Sequence, residues 1–204
     1  YEVYSTYYDI VYPNHEREAG RPLKTSPAYD RHLELDAQMG EKSGWERVNW
    51  YRSNADPAHE HLRPRGWAGE NWSTAIVTEH LATRATAGLF DESSFAKIEV
   101  SGSAAAGFLQ RMCANDVDRK VGSVTYTSML NSTGGIECDF TVTRLATDCF
   151  LIVTGTAFGR HDLSWIEEHA PDDGSVTVRD ITSSMACFGL WGPRAQAILS
   201  TLTP

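Results

Sequence analysis

The chain has 204 residues, 41% of them hydrophobic and 22% charged, and its formal net charge at pH 7 is −9. This composition is typical of a globular protein, and the acidic balance argues against broad binding to nucleic acids or anionic membranes. The sequence has neither a run of 18 apolar residues nor a basic leader followed by an apolar stretch, so it predicts neither a membrane span nor a signal peptide.

The first part of the chain, residues 1–64, contains five of the eight prolines and shows only weak hydrophobic periodicity. One helix is predicted over SPAYDRHLELDAQMG (26–40), with Ser26 as its cap and Pro27 at the first helical position. The stretch 53–72 is rich in turn-forming residues and is predicted to be a connector. A domain boundary is therefore expected near 55–70.

After Trp72 the pattern becomes clearer, and a helix is predicted from the cap Ser73 to the stop Gly88. A β-hairpin whose turn is NSTGG is predicted further along the chain, among other strands and helices. The predicted elements are a strand at 96–102, a helix at 103–115, hairpin strands at 123–130 and 136–145, a strand at 149–155, a helix at 160–170, strands at 175–181 and 186–192, and a helix at 193–202. This order predicts an α+β fold with mixed or antiparallel sheets and packed helices.

The four cysteines have no CxxC spacing, and three of them lie in apolar runs. This favours reduced thiols in the core over disulfides or a zinc site. His59 and His61 have no neighbouring Cys or Asp to complete a set of ligands, so a solvated loop is favoured and no metal site is predicted.

Asp139 lies in the predicted strand IECDFTVT, although strands disfavour Asp. Alternation places it on the polar face of the sheet. If the hairpin turn consists of the four residues 131–134, Tyr126 lies directly opposite Asp139, and a half-buried carboxylate beside a phenol could accept a proton. The alternative is a polar face that simply contacts water.

Other candidate groups favour structural roles. Asp116 follows a helix and is interpreted as a loop carboxylate. His161 and Asp162 are neighbours on a predicted helix and should not face each other, so helix capping by Asp162 is favoured over a base pair. The segment GWERVNW (44–50) is expected to pack between domains rather than to stack on a flavin. The chain contains no GxGxxG fingerprint.

Several segments in order resemble the aminomethyltransferase (glycine-cleavage T-protein) family, in the branch fused to dimethylglycine and sarcosine dehydrogenases. They are GLFDESSFAKIEVSG, GSVTYTSMLNSTGGIECDFTVTRL, FLIVTGT, HDLSWIEEHA and GLWGPRAQAIL. The resemblance runs from about residue 67 to 204, while RPLKTSP and GEKSGWERVNW resemble the preceding joining region. It implies a joining region at 1–66 and, at 67–204, the N-terminal part of a truncated tetrahydrofolate-binding domain. Because the chain begins at Tyr, we expect it to be a piece of a longer protein.

The resemblance also implies site residues. It assigns Asp139 as the catalytic aspartate, and it assigns folate-contacting roles to Tyr126, Phe95, Leu151 and Val153. Gly155 and Thr156 stand where many family members have Asn after the strand. The family's pterin-binding Glu and a later Arg would fall beyond residue 204.

The implied function is tetrahydrofolate-dependent one-carbon transfer within an oxidoreductase similar to dimethylglycine or sarcosine dehydrogenase. The substrates would be folate and a small N-methyl amine, FAD would be bound upstream of this chain, and the location would be a bacterial cytoplasm or the mitochondrial matrix. We expect the half-buried Asp139 to take the proton that the folate nitrogen loses. The alternatives are a non-catalytic regulatory homologue and a folate-dependent demethylase acting on another methyl donor.

Overall fold

The computed structural model describes residues 2–10, 12 and 15–203. They form two compact units, one built from the residues up to Glu92 together with those from Cys187 onward, and the other from Ser93–Ala186. No helix in the described part of the chain combines the length and apolar content that a bilayer crossing requires. The mixture of helices and antiparallel strands confirms the predicted α+β class.

Among its described residues, the first unit contains two small antiparallel sheets and four α-helices. One sheet is a hairpin of β1 and β2, and the other pairs β3 with the late strand β9. The elements are α1 (Glu2–Ser5), α2 (Tyr29–Glu34), β1 (Ala37–Lys42), β2 (Trp45–Tyr51), α3 (Thr74–Ala85), β3 (Gly88–Asp91), β9 (Phe188–Trp191) and α6 (Ala195–Leu199). Three short 3₁₀ turns lie between β2 and α3, at Arg52–Asn54, Pro57–Leu62 and Gly66–Gly69.

The second unit is a five-stranded antiparallel sheet with two helices. The strand order is β5-β6-β7-β4-β8. The elements are β4 (Ala96–Ser101), α4 (Ala105–Met112), β5 (Val124–Leu130), β6 (Ile136–Ala146), β7 (Cys149–Thr154), α5 (Gly159–His169) and β8 (Thr177–Asp180). A 3₁₀ turn at Thr182–Ser184 follows β8.

The core of the second unit lies between one face of its sheet and the helices α4 and α5. Period-2 alternation puts every second residue of the central strands on this face, because successive strand side chains point to opposite sides. Its members include Ile98, Val100, Phe108, Leu109, Met129, Cys138, Phe140, Val142, Phe150, Ile152 and Ile166. The other face of the same sheet carries Asp139 and the other polar side chains that alternate with the core residues of β6.

The prediction of a helix over 26–40 is wrong in its second half. The helix ends at Glu34, Asp36 has a φ of 62°, and the chain then enters β1. The β1–β2 hairpin was missed, although Ser43 (φ 52°) and Gly44 (φ 84°) form the two-residue turn with positive φ that hairpins favour. Ser26 does not serve as the N-cap of α2, which is Ala28, and the Ser26 hydroxyl donates a hydrogen bond to the Asp91 carboxylate.

The helix predicted after Ser73 is present as α3, and the Ser73 side chain accepts a hydrogen bond from the amide of Ala75. The helix stops at Ala85 instead of Gly88, because Gly88 already pairs with Trp191 as the first residue of β3. The partner strand β9 lies about a hundred residues later in the chain. Local periodicity therefore could not reveal β3.

A polar network inside the first unit surrounds His32. Its Nδ1 lies 2.8 Å from the Tyr51 hydroxyl, and its Nε2 lies 2.9 Å from Asp91 Oδ2. Burial, followed by the carboxylates of Glu79 and Asp91, raises the pKa of Tyr51. Tyr51, Glu79 and Asp91 also line a cavity of about 350 Å³ within this unit. The network joins α2, β2 and β3.

Candidate functional site

The candidate site lies on the face of the five-stranded sheet that is turned away from α4 and α5. Cross-strand pairing aligns its side chains in rows that run across four strands. One row contains Tyr126, Thr141, Val153 and Lys97, on β5, β6, β7 and β4. The next row contains Val124, Thr143, Leu151 and Glu99. Asp139 pairs with Ser128 on the other side of the first row.

The centre of the site is a hydrogen bond between two side chains of the β5–β6 hairpin. The Tyr126 hydroxyl donates to Asp139 Oδ2 over 2.6 Å. This hydrogen bond, and secondly the negative charge of the carboxylate, raises the pKa of the Tyr126 phenol. The proximity that the sequence predicted for these two residues is therefore present.

The predicted register of the hairpin is wrong by two residues. Asp139 pairs with Ser128 and Tyr126 pairs with Thr141, so the tyrosine reaches the carboxylate along the diagonal. The loop closes between Asn131 and Gly135, where the Asn131 side-chain oxygen accepts hydrogen bonds from the amides of Thr133 and Gly135, and an irregularity follows Met129. A shift by an even number of residues keeps each side chain on its face, which is why the contact survives.

The expectation that Asp139 is half-buried is also wrong, because its side chain is exposed. Tyr126 is 61% exposed. Both residues lie on the open face, whereas α4 and α5 pack against the opposite face. The fold of this unit therefore does not remove water from the Asp139 carboxylate. A ligand would have to cover the face to do so.

Two apolar residues of the predicted site, Leu151 and Val153, lie on the same side of the sheet as Asp139. Leu151 and Val153 pair with Thr143 and Thr141, and both are half-buried. Phe95 is half-buried and directly precedes β4, whose first residue Ala96 pairs with Thr154. From β5 to β4 the face spans three strand spacings, or about 14 Å. The structure thus brings Tyr126 into hydrogen-bond contact with Asp139. Phe95 lies just before β4, three strand positions away from β5 in the same sheet.

Sequence reasoning missed Lys97, which is only 1% exposed in the row with Val153. Its ammonium group donates hydrogen bonds to the carbonyl oxygens of Ser93 (2.8 Å) and Phe95 (3.0 Å). A buried ammonium needs such acceptors, because removing a charge from water is unfavourable without them. Lys97 therefore holds the backbone that carries Phe95. The sequence signal for Lys97 is that a lysine lies between two apolar residues in a predicted strand.

Two polar contacts support the ends of the site. The amide group of Asn115 donates to the Tyr126 carbonyl over 2.7 Å, which ties the loop after α4 to β5. An open depression of about 470 Å³ beside Tyr126 is lined by Asn115, Asp116 and Arg119, among others. Near the other end, the Thr156 hydroxyl lies 2.9 Å from that of Ser94.

Asp116 lies in a loop, as predicted, and its Oδ1 accepts a hydrogen bond from the amide of Asp118.

The interpretation of His161 and Asp162 requires correction. His161 Nδ1 lies 3.1 Å from Asp162 Oδ1, so these sequence neighbours do meet. Asp162 does not cap α5, since the N-cap is Phe158 and has no side-chain cap bond. Instead Asp162 is buried, and its Oδ2 accepts the Thr154 hydroxyl over 2.6 Å. One carboxylate oxygen of Asp162 thus binds the Thr154 hydroxyl of β7, and the other lies within hydrogen-bond distance of His161.

Comparison with protein families gives two matches. Residues 28–204 match the family described as the GCVT N-terminal domain. Residues 1–26 match the family described as the FAD dependent oxidoreductase central domain. The boundary between these matches coincides neither with 66/67 nor with the division into compact units, and the predicted boundary stays a prediction.

Three curated relatives match nearly the whole chain. The 4-methylaminobutanoate oxidase (formaldehyde-forming) of Paenarthrobacter nicotinovorans is 35% identical over 97% of this chain and 23% of its own length. The mitochondrial dimethylglycine dehydrogenase of Rattus norvegicus is 33% identical over 95% of this chain and 22% of its own length. The mitochondrial pyruvate dehydrogenase phosphatase regulatory subunit of Mus musculus is 31% identical over 99% of this chain and 23% of its own length. The chain thus spans about a quarter of the length of these relatives.

Among solved structures, the glycine cleavage system aminomethyltransferase T from Bartonella henselae is similar, with a TM-score of 0.70 and 30% sequence identity. The similarity covers 88% of this chain and 43% of that protein. The backbone likeness agrees with the family match over residues 28–204.

Proposed function

Since the chain belongs to the aminomethyltransferase family of the GCVT N-terminal domain, we propose that its sheet face supports tetrahydrofolate-dependent one-carbon transfer, as part of an oxidoreductase acting on an N-methyl amine. The observation that carries the proposal is the hydrogen bond from Tyr126 to Asp139 on an open face beside Leu151 and Val153. Apolar side chains suit a flat ring system, and one carboxylate suits a nitrogen that must lose a proton.

When bound, tetrahydrofolate supplies the nitrogen that captures an electrophilic one-carbon unit. Asp139 would accept the proton that this nitrogen releases. The Tyr126 hydroxyl donates to Oδ2 and so orients the carboxylate, whose Oδ1 takes no part in this hydrogen bond. Positioned general acid–base groups typically contribute roughly 10²- to 10⁴-fold to a rate.

The open face also explains how an exposed carboxylate can act. A ring laid over Leu151, Val153 and Phe95 would remove water from the sheet surface, and the attraction between Asp139 and a positively charged nitrogen grows as water leaves. Lys97 contributes by positioning, since its ammonium holds the carbonyl of Phe95. The ligand itself thus completes the environment that the reaction needs.

The experiment is Asp139→Asn in the full-length protein. We expect loss of most methylene-tetrahydrofolate formation, by about 10²-fold or more, while tetrahydrofolate affinity stays within a few-fold. The matched control is Asp148→Asn, which changes an exposed carboxylate at the β6–β7 turn of the same sheet. Unchanged product formation in Asp139→Asn would overturn the role of Asp139.

Two alternatives remain distinct outcomes of that experiment. One relative is a phosphatase regulatory subunit, and a regulatory homologue would not need the carboxylate. In that case neither folate binding nor turnover would be measurable in the unaltered protein. A folate-dependent demethylase would keep its dependence on Asp139 but use a methyl donor other than an N-methyl amine. The donor is identified by product analysis with candidate amines.

The rest of the proposal concerns the whole protein. Residues 1–66 join a flavin-binding part that lies outside this chain to the folate-binding part at 67–204. The location is a bacterial cytoplasm or the mitochondrial matrix, since the relatives include bacterial and mitochondrial proteins. Flavin spectroscopy of the full-length protein tests the first statement, because a protein without an upstream FAD site would lack the flavin absorbance.

A further inference from the structure

Three side chains of types that can bind a metal ion meet on the helix-covered face of the second unit, opposite the face that carries Asp139. They are Cys138 on β6 and His161 and Asp162 in the first turn of α5. One ligand atom from each lies within 4.8 Å of the other two. Cys138 and Asp162 are buried, whereas His161 is exposed and leaves the cluster accessible from solvent.

The carboxylate of Asp162 is only 1% exposed, and a buried carboxylate is unfavourable unless it is hydrogen-bonded, paired with a charge or bound to a cation. Its neighbours include two uncharged donors, the Thr154 hydroxyl on Oδ2 and the Cys138 thiol. Its Oδ1 faces His161 Nδ1 at 3.1 Å. A divalent cation between the carboxylate, the imidazole and the sulfur would supply the positive charge.

The other nitrogen of His161 lies near a carboxylate, at an ion-pair distance that is longer than a hydrogen bond. Nε2 lies 3.7 Å from Glu137 Oε2, and Glu137 Oε1 accepts a hydrogen bond from the Asn131 amide group at 2.8 Å. Histidine ligands usually direct the second ring N–H to a carboxylate, which orients the ring and raises its basicity. The Thr154 hydroxyl orients Asp162 in the same way.

We propose that Cys138, His161 and Asp162 bind a zinc-type divalent cation. A thiolate, an imidazole and a carboxylate form a mixed donor set that suits zinc, and three protein ligands leave a fourth position for water. Two nitrogen or oxygen ligands of a tetrahedral zinc lie roughly 3.3 Å apart. The 3.1 Å between His161 Nδ1 and Asp162 Oδ1 is close to that spacing.

Binding follows a simple balance of atoms. The Cys138 S–H bond breaks, the proton goes to solvent, and a metal–sulfur bond forms. The neutral imidazole binds through the Nδ1 lone pair and carries its proton on Nε2, toward Glu137. The cation would connect α5 to the strand that also carries Asp139.

The test is titration of the metal-free protein with Co²⁺ and then with Zn²⁺. We expect one equivalent of Co²⁺ per chain to produce a thiolate-to-cobalt charge-transfer absorption, which Zn²⁺ abolishes by displacement. Cys138→Ser should remove the absorption, and His161→Gln should weaken Co²⁺ binding by about tenfold or more. His161 is exposed, so its replacement is compatible with folding, and circular dichroism verifies that.

The matched controls are Cys149→Ser, which removes a partly buried thiol on β7, and His169→Gln at the other end of α5. Neither should change the cobalt spectrum. The proposal is overturned if the unaltered protein binds no Co²⁺ with thiolate character. It is also overturned if the absorption persists in Cys138→Ser. Folate turnover is not part of the readout, so this result is independent of the function of Asp139.

Discussion

The two faces of the five-stranded sheet use the same strands but differ in what determines the state of their polar groups. On the covered face, Cys138 is buried in the core and Asp162 is buried on the sheet-facing side of α5, so their surroundings are set by the fold. On the open face, the next residue along β6, Asp139, is exposed. Alternation decides which face a side chain occupies, whereas burial depends on the layer that packs over that face. Under the proposed function, the ligand provides the dry environment that the fold does not give to Asp139.

The adjacent residues Ile152 and Val153 of β7 give the sharpest test of this difference, because they point to opposite faces. Ile152 is fully buried in the core, and Ile152→Ala should lower the free energy of unfolding by about 2–5 kcal/mol. Val153 is half-buried on the open face, so Val153→Ala should lower it by about 1 kcal/mol or less. Urea denaturation followed by circular dichroism measures both.

The same pair should show the reverse order in folate binding. Val153→Ala removes part of the proposed ring-contacting surface, so tetrahydrofolate affinity should fall several-fold. Affinity in folded Ile152→Ala should stay closer to that of the unaltered protein. Equal loss of stability in the two variants would contradict the assignment of the faces.

Lys97 is an exception that tests the rule, since it lies in the open-face row and yet is buried. Lys97→Met keeps most of the apolar stem but leaves the carbonyls of Ser93 and Phe95 without the ammonium donor. We expect the free energy of unfolding to fall by about 1–3 kcal/mol, the usual effect of unsatisfied buried polar groups. Tetrahydrofolate binding should weaken as well, because Phe95 loses its support.

The control for Lys97 is Lys120→Met, which changes an exposed lysine in the loop before β5. It should leave both stability and affinity unchanged. If Lys97→Met were as stable as the unaltered protein, the two hydrogen bonds of the ammonium group would make no net contribution to the free energy of unfolding. The view of Lys97 as a positioning residue would then be wrong.

The sequence predicted the second unit better than the first, for a physical reason. β6 alternates regularly and follows a turn that contains Asn and Gly, and β7 is a short continuous apolar run, so local patterns identify both strands. The shared face of Tyr126 and Asp139 followed from that alternation. The exact register did not, because it depends on how the Asn131 side chain closes the loop and on an irregularity after Met129.

What the sequence could not show depends on contacts between distant parts of the chain. β3 is stabilised by pairing with β9, and the burial of Lys97 and Asp162 depends on segments folded against them. The exposure of Asp139 likewise reflects which face the helices cover. The family resemblance named Asp139 and Tyr126, but Cys138 and Asp162 entered only through geometry. Local pattern thus determines the face, and tertiary packing determines the environment.

The smallest expected effect concerns the Tyr126 phenol. Its pKa is raised by the hydrogen bond to Asp139 and by the carboxylate charge, so Asp139→Asn should return this pKa toward the usual value of about 10. A raised folded-state pKa means that the bond stabilises the fold below the unfolded phenol pKa. That contribution disappears as the pH rises through the folded value. It is small, because the pair is exposed to solvent.

Difference absorbance of tyrosinate against pH measures the shift. The unaltered protein should ionise one phenol at a higher pH than Asp139→Asn does. In the Tyr126→Phe background, adding Asp139→Asn should leave the titration curve unchanged, since the affected phenol is absent. The melting temperature of the unaltered protein should also fall more steeply than that of Asp139→Asn above about pH 10. Superimposable curves for the unaltered protein and Asp139→Asn would show that the two side chains do not interact in solution, and the open face would then have no organised proton acceptor.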